Sequence, residues 1–293
     1  MHDINYSHDH ELDEHDFLGC CKDCRTSVDI IKPHIMSFAK KIKNYTREML
    51  EALSPGDLYR LYQILDDLAH MEAGVHLAGL ILEEPDIHRE LPVIRSYYST
   101  FFNIHEAHLA EELLKSDTPW QTLKSFPLYP RYETLIKKQT EAMYVSRDTR
   151  LAFIGSGAVP MSLILINHLY GVRSVGLDSS FETVELSKKV IRCLGLEKEI
   201  EIIHGNDSSL KELEWNVVLV AALAEPKAQI FQSIRRILKE SRQAYVIFRT
   251  YTGMRTVLYE PVQSDDIRGF KVVKEIPPTG RVNNTTVFAE LDE

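Results

Sequence analysis

The chain has 293 residues, of which 44% are hydrophobic and 26% charged, a composition typical of folded globular proteins. Its formal charge of −9 comes without the clustered Lys and Arg that bind nucleic acid through phosphates. No apolar run approaches the ~20 residues of a membrane helix, and the acidic, His-rich start is unlike a signal peptide. These properties exclude nucleic-acid and membrane partners, and they favour a cytoplasmic protein that acts on small molecules.

The first 24 residues differ in composition from the rest of the chain. Histidines and many acids precede a cluster formed by Cys20, Cys21 and Cys24. Thiolates and imidazoles are ligands for Zn, Ni or Cu, but this spacing matches no regular zinc module and is too close for a secreted disulfide framework. We expect residues 1–24 to be a flexible tail, with metal binding at the three cysteines as an alternative. No required metal is predicted.

Residues 25–146 have the pattern of a helical domain. Proline-containing breaks at 54–57, 84–85 and 116–119 divide the stretch into separate helices. Between the breaks, apolar residues recur at helical intervals: Ile30, Ile31, Ile35 and Phe38, and then Leu58, Leu61, Ile64, Leu65 and Leu68. We predict an N-terminal α-helical bundle domain over residues 25–146.

Residues 147–293 change to short apolar strands that alternate with helices, as a parallel sheet requires. Helices are predicted near 181–194 and 227–238, and a closing antiparallel hairpin is expected at the end. The expected strands are 151–154, 174–178, 200–203, 217–220 and 244–248, followed by two or three near 256–259, 270–273 and 285–290. The fold class is therefore α/β, with a doubly wound, Rossmann-like domain after the helical bundle.

A strand–turn–helix segment marks the expected ligand site of this sheet. The first strand runs into Gly155, Ser156 and Gly157, and Pro160 lies where a helix can begin. Two glycines permit a tight turn and close backbone approach, and a helix start offers free N–H groups to a polar ligand. The alternative is an ordinary turn, because the third glycine of the dinucleotide fingerprint is missing. Asp178, which ends the second strand, is placed where a ribose hydroxyl needs an acceptor.

The later strand ends also carry candidate ligand residues. Asp207 follows the third strand and Ala222 follows the fourth, and ligands of open α/β sheets bind beyond these carboxyl ends. Acids after the second and third strands suit an adenosine. This arrangement resembles that of the S-adenosylmethionine-dependent methyltransferases more than that of the nicotinamide dehydrogenases. For Asp207 the alternative is a turn or helix-cap residue.

Five ordered motifs resemble the nicotianamine synthase family, especially its archaeal branch. The motifs are Ser116–Trp120, Ser125–Tyr132, Ala221–Lys227, Arg249–Arg255 and Gly280–Asn284. The resemblance extends from about residue 93 to 288. It implies a Rossmann-like S-adenosylmethionine domain and transfer of the 3-amino-3-carboxypropyl group, not the methyl group, to an amine. Methylthioadenosine would be released and a metal chelator formed. The acceptor stays open between glutamate, histidine and a second S-adenosylmethionine, and so does the oligomeric state.

The resemblance also implies two catalytic residues. It aligns Glu106 with the family's catalytic glutamate and Tyr132 with a tyrosine that lines the reaction chamber. A carboxylate suits this step because an amino-acid amine is mostly protonated near neutral pH and attacks only after it loses the proton. Without the resemblance, Glu106 would be a surface acid on a helix and Tyr132 a core aromatic.

Four further residues are predicted to bind the substrate. Arg131 has a guanidinium that can hold an amino-acid carboxylate with two hydrogen bonds. Tyr129 belongs to the same motif, and Arg249 and Asn283 belong to the two C-terminal motifs. The alternatives are that Tyr129 packs in the core, that Arg249 pairs with nearby acids and that Asn283 forms a turn.

Two other functions compete with this prediction. An N-methyltransferase on the same fold would release S-adenosylhomocysteine in place of methylthioadenosine. A metal-binding or metal-sensing protein would use the His/Cys tail and carry a vestigial adenosine site. The presence of Glu106, Gly155, Gly157 and Asp178 argues against the second alternative.

Overall fold

A computed structural model describes residues 22–143, 145–146, 148–240 and 244–292 of the chain. Cys20 and Cys21 of the predicted tail lie outside these residues. Cys24 lies in the first helix, which begins at Lys22, whereas the sequence predicted a flexible tail up to residue 24. No helix within the described ranges has the length and apolar character needed to span a lipid bilayer.

Helices form the described part of the chain up to residue 143. Their bounds are α1 Lys22–Ile42, α2 Arg47–Glu51, α3 Pro55–Ala69, α4 Val75–Glu83, α5 Pro85–Lys115, α6 Pro119–Ser125 and α7 Tyr129–Met143. Pro55, Pro85 and Pro119 each begin a helix, because the first helical residue needs no N–H donor. The predicted breaks are thus helix starts.

The remaining helices alternate with a seven-stranded sheet. The bounds are β1 Arg150–Ile154, α8 Met161–Tyr170, β2 Arg173–Asp178, α9 Phe181–Cys193, β3 Ile200–His204, β4 Val217–Val220, α10 Lys227–Lys239, β5 Tyr245–Thr250, β6 Phe270–Ile276 and β7 Thr285–Leu291. The strand order is β3-β2-β1-β4-β5-β7-β6. Strands β1 to β5 are parallel, and β7 runs antiparallel between β5 and β6. The predicted α/β, Rossmann-like fold with a closing antiparallel pair is confirmed.

One predicted strand is wrong. The segment near 256–259 belongs to a 3₁₀ helix, Gly253–Val257, and its continuation. Met254, Val257 and Leu258 are buried, and the 3₁₀ helix packs against α3, α4 and α5. Their spacing of three and four residues puts them on one side of a helical turn, whereas a strand would bury alternate residues.

Helix α5 joins the helical layer to the sheet. Near its middle, Phe101 packs in a core built mainly from α1 to α5. In its second half, Leu109 and Leu113 pack with α7, α8 and the sheet residues. Glu106 lies between these two contacts and is partly exposed. The boundary at residue 146 between a helical and a sheet domain stays a prediction.

Candidate active site

A cavity of about 460 Å³ lies between the carboxyl ends of the parallel strands and the helical layer. This is the edge at which open α/β sheets bind their ligands. Most of the predicted site residues line the cavity: Glu106, Arg131, Tyr132, Gly155, Ser156, Gly157, Asp178, Asp207, Ala222, Arg249 and Asn283. Tyr129 does not line it and packs in the core beside α6 and the sheet.

The glycine turn after β1 is held by backbone and side-chain hydrogen bonds. Gly155 and Gly157 both have φ of 76°, a left-handed conformation that side chains other than glycine disfavour. The Gly155 and Ser156 amides donate to the Leu177 carbonyl at 2.8 and 3.0 Å. The Gly157 amide donates to Oδ2 of Asp178 at 3.0 Å. The turn is thereby fixed to the end of β2.

Two acids predicted to bind the adenosine lie at the ends of β2 and β3. The other oxygen of Asp178 accepts a hydrogen bond from the Ser180 amide at 3.1 Å, so this carboxylate joins two loops at the cavity wall. Asp207 is buried and begins the 3₁₀ helix Asp207–Glu212, whose cap is Asn206. The capping alternative for Asp207 is wrong, because Asn206 has that role.

The segment after β4 is organised by a residue that the sequence analysis did not single out. Lys227 is buried, and its ammonium donates to the carbonyls of Ala222 and Ala224 and pairs with Glu225 at 3.2 Å. These bonds hold Ala222 at the cavity wall. The sequence did contain a signal for this role, because Lys227 begins a helix face that is otherwise apolar.

Glu106 extends from α5 to the glycine turn. A Cβ placed on residue 157 would lie 2.6 and 2.8 Å from the two carboxylate oxygens, so a larger residue there would displace the Glu106 carboxylate. The backbone amides of Ala158 and Val159 favour the charged form of this carboxylate. Burial raises the pKa of Glu106 to about 8, and the charge of Asp178 also raises it, against the effect of the two amides.

Tyr132 lies within electrostatic reach of two charged residues of the cavity. Burial raises the pKa of its hydroxyl, the Glu106 carboxylate raises it further, and the Arg249 guanidinium opposes both. The hydroxyl therefore keeps its proton near neutral pH and is available as a hydrogen-bond donor.

Arg131 is engaged by a protein carboxylate. Its two terminal nitrogens donate to the two oxygens of Asp66, on α3, at 2.6 and 2.7 Å. Asp66 also pairs with Arg281 at 3.1 Å and accepts from Tyr62 at 2.9 Å. Asp66 and Tyr62 were not predicted as site residues, because nothing in their local sequence distinguishes them from other helix residues. The fork predicted to hold a substrate carboxylate is occupied by Asp66.

Arg249 has no such partner among the described residues. The guanidinium donates to Oγ of Ser162 at 2.9 Å and to Oε1 of Gln139 at 3.2 Å, and its Nε–H has no hydrogen-bond acceptor. The side chain is buried, and burial lowers its pKa to about 10. The alternative that Arg249 pairs with nearby acids is wrong for the part of the chain that the structure describes.

Asn283 connects the last motif to two tyrosines of the helical layer. Its amide nitrogen donates to the hydroxyls of Tyr62 at 3.1 Å and Tyr98 at 3.3 Å, and Tyr251 donates to Tyr98 at 3.2 Å. All four residues line the cavity. Its wall on this side is therefore polar but largely uncharged.

The described residues contain no group of three or more His, Cys, Asp or Glu side chains that could hold a metal ion. Two of the three cysteines proposed as ligands lie outside the described ranges, so the metal alternative stays a prediction.

Comparison with known proteins identifies relatives of the whole described chain. A family model described as nicotianamine synthase protein matches residues 24–293. A crystal structure of a mutant of MtNAS in complex with S-adenosylmethionine shares 33% identity at a TM-score of 0.81, covering 94% of this chain and all of that one. MtNAS in complex with MTA and tNA shares 34% identity at a TM-score of 0.83, covering 93% and 99%.

Curated relatives match over shorter regions. The probable nicotianamine synthase 3 of Hordeum vulgare is 30% identical over 200 residues, which are 63% of this chain and 59% of that protein. The L-histidine 2-aminobutanoyltransferase of Pseudomonas aeruginosa is 26% identical over 141 residues, which are 48% of this chain and 53% of that protein. The match thus spans less than two thirds of either relative. The family model, which covers nearly the entire chain, shows that this protein belongs to the nicotianamine synthase family.

Proposed function

We propose that this protein transfers the 3-amino-3-carboxypropyl group of S-adenosylmethionine to an amino-acid amine, releases methylthioadenosine and makes a metal chelator. Family membership supports the reaction class. The observation that carries the proposal is the contact between Glu106 and Gly157. It puts a carboxylate with a raised pKa directly beside the expected nucleotide loop, in a cavity.

The donor side of the cavity is proposed to be the sheet domain, residues 147–293. The glycine turn would receive the nucleoside, and Asp178 and Asp207 would accept hydrogen bonds from its hydroxyl and amino groups. The MtNAS complex with S-adenosylmethionine supports this donor. Acids at the cavity wall also suit a sulfonium, which carries a positive charge.

The acceptor side is proposed to be formed by the helical domain, residues 25–146, with Arg249 and Asn283 from the C-terminal motifs. Tyr62, Tyr98 and Tyr132 surround this part of the cavity. They offer hydroxyl groups to a polar amino acid. The named activities of the relatives support an amino-acid amine as acceptor, either histidine, glutamate or a second S-adenosylmethionine.

The proposed step needs one base and one leaving group. Glu106 in its deprotonated form takes a proton from the acceptor ammonium, and the freed nitrogen lone pair forms a bond to the sulfonium carbon of the aminocarboxypropyl group. The electrons of the broken carbon–sulfur bond stay on sulfur, which becomes the neutral thioether of methylthioadenosine. A base with a pKa near the working pH is suited to this transfer, and about 8 meets that condition. Tyr132 would hold the amine in line by hydrogen bonding.

The three carbons on the sulfonium are all possible targets, so orientation decides the product. Mass spectrometry of the products after incubation with S-adenosylmethionine, with and without glutamate or histidine, tests the proposal. We expect methylthioadenosine together with an aminocarboxypropylated amine. S-Adenosylhomocysteine with a methylated acceptor would establish the N-methyltransferase instead, and no turnover with intact metal binding would favour the metal-binding alternative.

A further inference from the structure

The cavity contains one buried positive charge that the described protein does not neutralise. Its lining includes two cationic side chains, Arg131 and Arg249. Asp66 neutralises Arg131 through two short hydrogen bonds. Arg249 has only the neutral acceptors Ser162 and Gln139.

Burial of an unpaired charge is costly, because water is removed and no opposite charge replaces it. Arg249 is only 4% exposed, less than many core side chains. A guanidinium has five N–H groups, and Ser162 and Gln139 accept hydrogen bonds from two of them. An anionic ligand would supply the missing charge and further acceptors.

The local structure keeps Arg249 in place for such a ligand. It lies at the end of β5, Ser162 lies in the first turn of α8, and Gln139 comes from α7. The ring of Phe153, on β1, lies 6.0 Å below the guanidinium carbon. Contacts from α7, α8 and β1 therefore fix the Arg249 side chain before any ligand binds, which lowers the entropy cost of binding.

We propose that Arg249 binds the α-carboxylate of an amino-acid substrate and thereby selects substrates that carry this group. The inference rests on the proposed function and adds a residue that determines specificity within the same cavity. The carboxylate belongs either to the aminocarboxypropyl group of the donor or to the acceptor amino acid. The by-product methylthioadenosine has no carboxylate and gains nothing from Arg249, whereas the aminocarboxypropylated product keeps the transferred carboxylate.

Wild-type protein and two donor ligands give the first test. Calorimetry compares S-adenosylmethionine with its decarboxylated analogue, which keeps the nucleoside, the sulfonium and the amine. If Arg249 holds the donor carboxylate, the analogue binds about 10- to 100-fold more weakly, as expected for a lost charge-assisted interaction. If Arg249 holds the acceptor carboxylate, the two ligands bind alike, and the acceptor amino acid has a KM about 10- to 100-fold lower than its decarboxylated amine.

The variant Gln139→Glu provides the second test. Gln139 accepts a hydrogen bond from Arg249, so a glutamate of nearly the same shape puts a carboxylate about where the amide oxygen lies, 3.2 Å from the guanidinium. The internal carboxylate competes with that of the substrate. We expect the variant to be at least as stable as wild type, to lose the preference for carboxylate-bearing ligands and to bind methylthioadenosine within about twofold of wild type.

The variant Gln121→Glu is the matched control, because it makes the same chemical change at an exposed position on α6. The Gln121→Glu variant should retain the wild-type preference for carboxylate-bearing ligands. A purely structural Arg249 would instead give a stabilised Gln139→Glu variant with unchanged ligand preference.

Equal binding of both donors by wild type, with equal KM values for both acceptors, would overturn the role of Arg249 and leave the proposed reaction intact. Failure of wild type to bind S-adenosylmethionine or methylthioadenosine at all would overturn the proposed function as well. Equal binding on wild type would overturn the proposal even if the variant fails to fold, and a wild-type preference that Gln139→Glu abolishes assigns the carboxylate to Arg249.

Discussion

The carboxylate of Glu106 on α5 occupies the space that a side chain at Gly157 would need, with Oε2 2.6 Å from the position of a Cβ. The contact links the helical layer directly to the turn after β1. The same turn is tied to Asp178 through the Gly157 amide. A change at residue 157 therefore affects the turn, the acid behind it and the proposed base together.

The variant Gly157→Ala should lose stability and ligand binding. Alanine disfavours a φ of 76°, and its methyl group would displace the Glu106 carboxylate. We expect a loss of about 1–3 kcal/mol in the free energy of unfolding, measured by urea denaturation, and weaker S-adenosylmethionine binding. Gly79→Ala in α4 is the control, because a Cβ there meets no atom within 4 Å and alanine favours a helix. Equal stability of the two variants would contradict this account.

The neighbouring acids Asp66 and Asp67 should differ strongly in their contribution to stability. Burial raises the pKa of Asp66, but the hydrogen bonds and charge of Arg131 outweigh burial and hold it below its usual 3.8. Asp66→Asn leaves Arg131 without its ion pair and should lower the free energy of unfolding by roughly 3 kcal/mol. Asp67 is exposed and, within the described ranges, forms an ion pair only with Arg281, so Asp67→Asn should lower the free energy of unfolding by about 1 kcal/mol or less.

Denaturation as a function of pH checks the Asp66 assignment. A lowered native pKa gives stability that is present above the unfolded pKa and lost as the pH falls through the native one. The difference between wild type and Asp66→Asn should therefore shrink below about pH 4. A difference that stays constant down to pH 2 would show that the acid acts through packing alone.

The strands were predictable because β1 and β4 are buried on both faces and therefore appear as continuous apolar runs. The glycine turn was predictable because its signal is contained within a few consecutive residues. The segment 253–257 was not, because its apolar content suggested a strand while its spacing fits a helical turn. Apolar content alone did not distinguish these two structures.

The partners of the site residues could not be predicted from local sequence. Asp66 lies 65 positions from Arg131, and Gln139 lies 110 positions from Arg249. Tertiary packing brings these pairs together, since Asp66 on α3 contacts Arg131 on α7, and Gln139 on α7 contacts Arg249 on β5. For this reason the sequence indicated two arginines as carboxylate ligands, whereas the contacts leave one of them, Arg249, uncompensated.

The variant Asp178→Ala should weaken S-adenosylmethionine binding about tenfold or more, as expected for the loss of a charge-assisted hydrogen bond to the ligand. Part of this loss will come from the turn, because Asp178 accepts hydrogen bonds from Gly157 and Ser180. Calorimetry with methylthioadenosine measures the nucleoside contribution separately. Unchanged affinity for both ligands would exclude Asp178 from the binding site.

Glu106→Gln should stabilise the free protein as the pH rises. The native carboxyl keeps its proton to about pH 8, whereas the unfolded one releases it near 4.5. Between these values the native state binds more protons, so the stability of wild type falls with increasing pH. Glu106→Gln has no such dependence, so its free energy of unfolding should exceed that of wild type by about 1–3 kcal/mol at pH 8. Partial exposure of Glu106 makes this difference smaller than the full pKa shift would give. A variant that is less stable than wild type throughout this range would contradict the raised pKa.

The same variant should be strongly impaired in turnover, because glutamine retains the size of the side chain but cannot accept the proton of the acceptor amine. We expect turnover to fall roughly 10²- to 10⁴-fold, with S-adenosylmethionine binding little changed. As the pH rises above 8, more of the acceptor amine is already deprotonated, so the deficit relative to wild type should shrink. A structural role would give the reverse, with altered stability and an unchanged rate per folded molecule. Wild-type turnover at neutral pH would exclude Glu106 as the base and leave Tyr132, which lies within electrostatic reach of Glu106 in the same cavity, as the group that positions the amine.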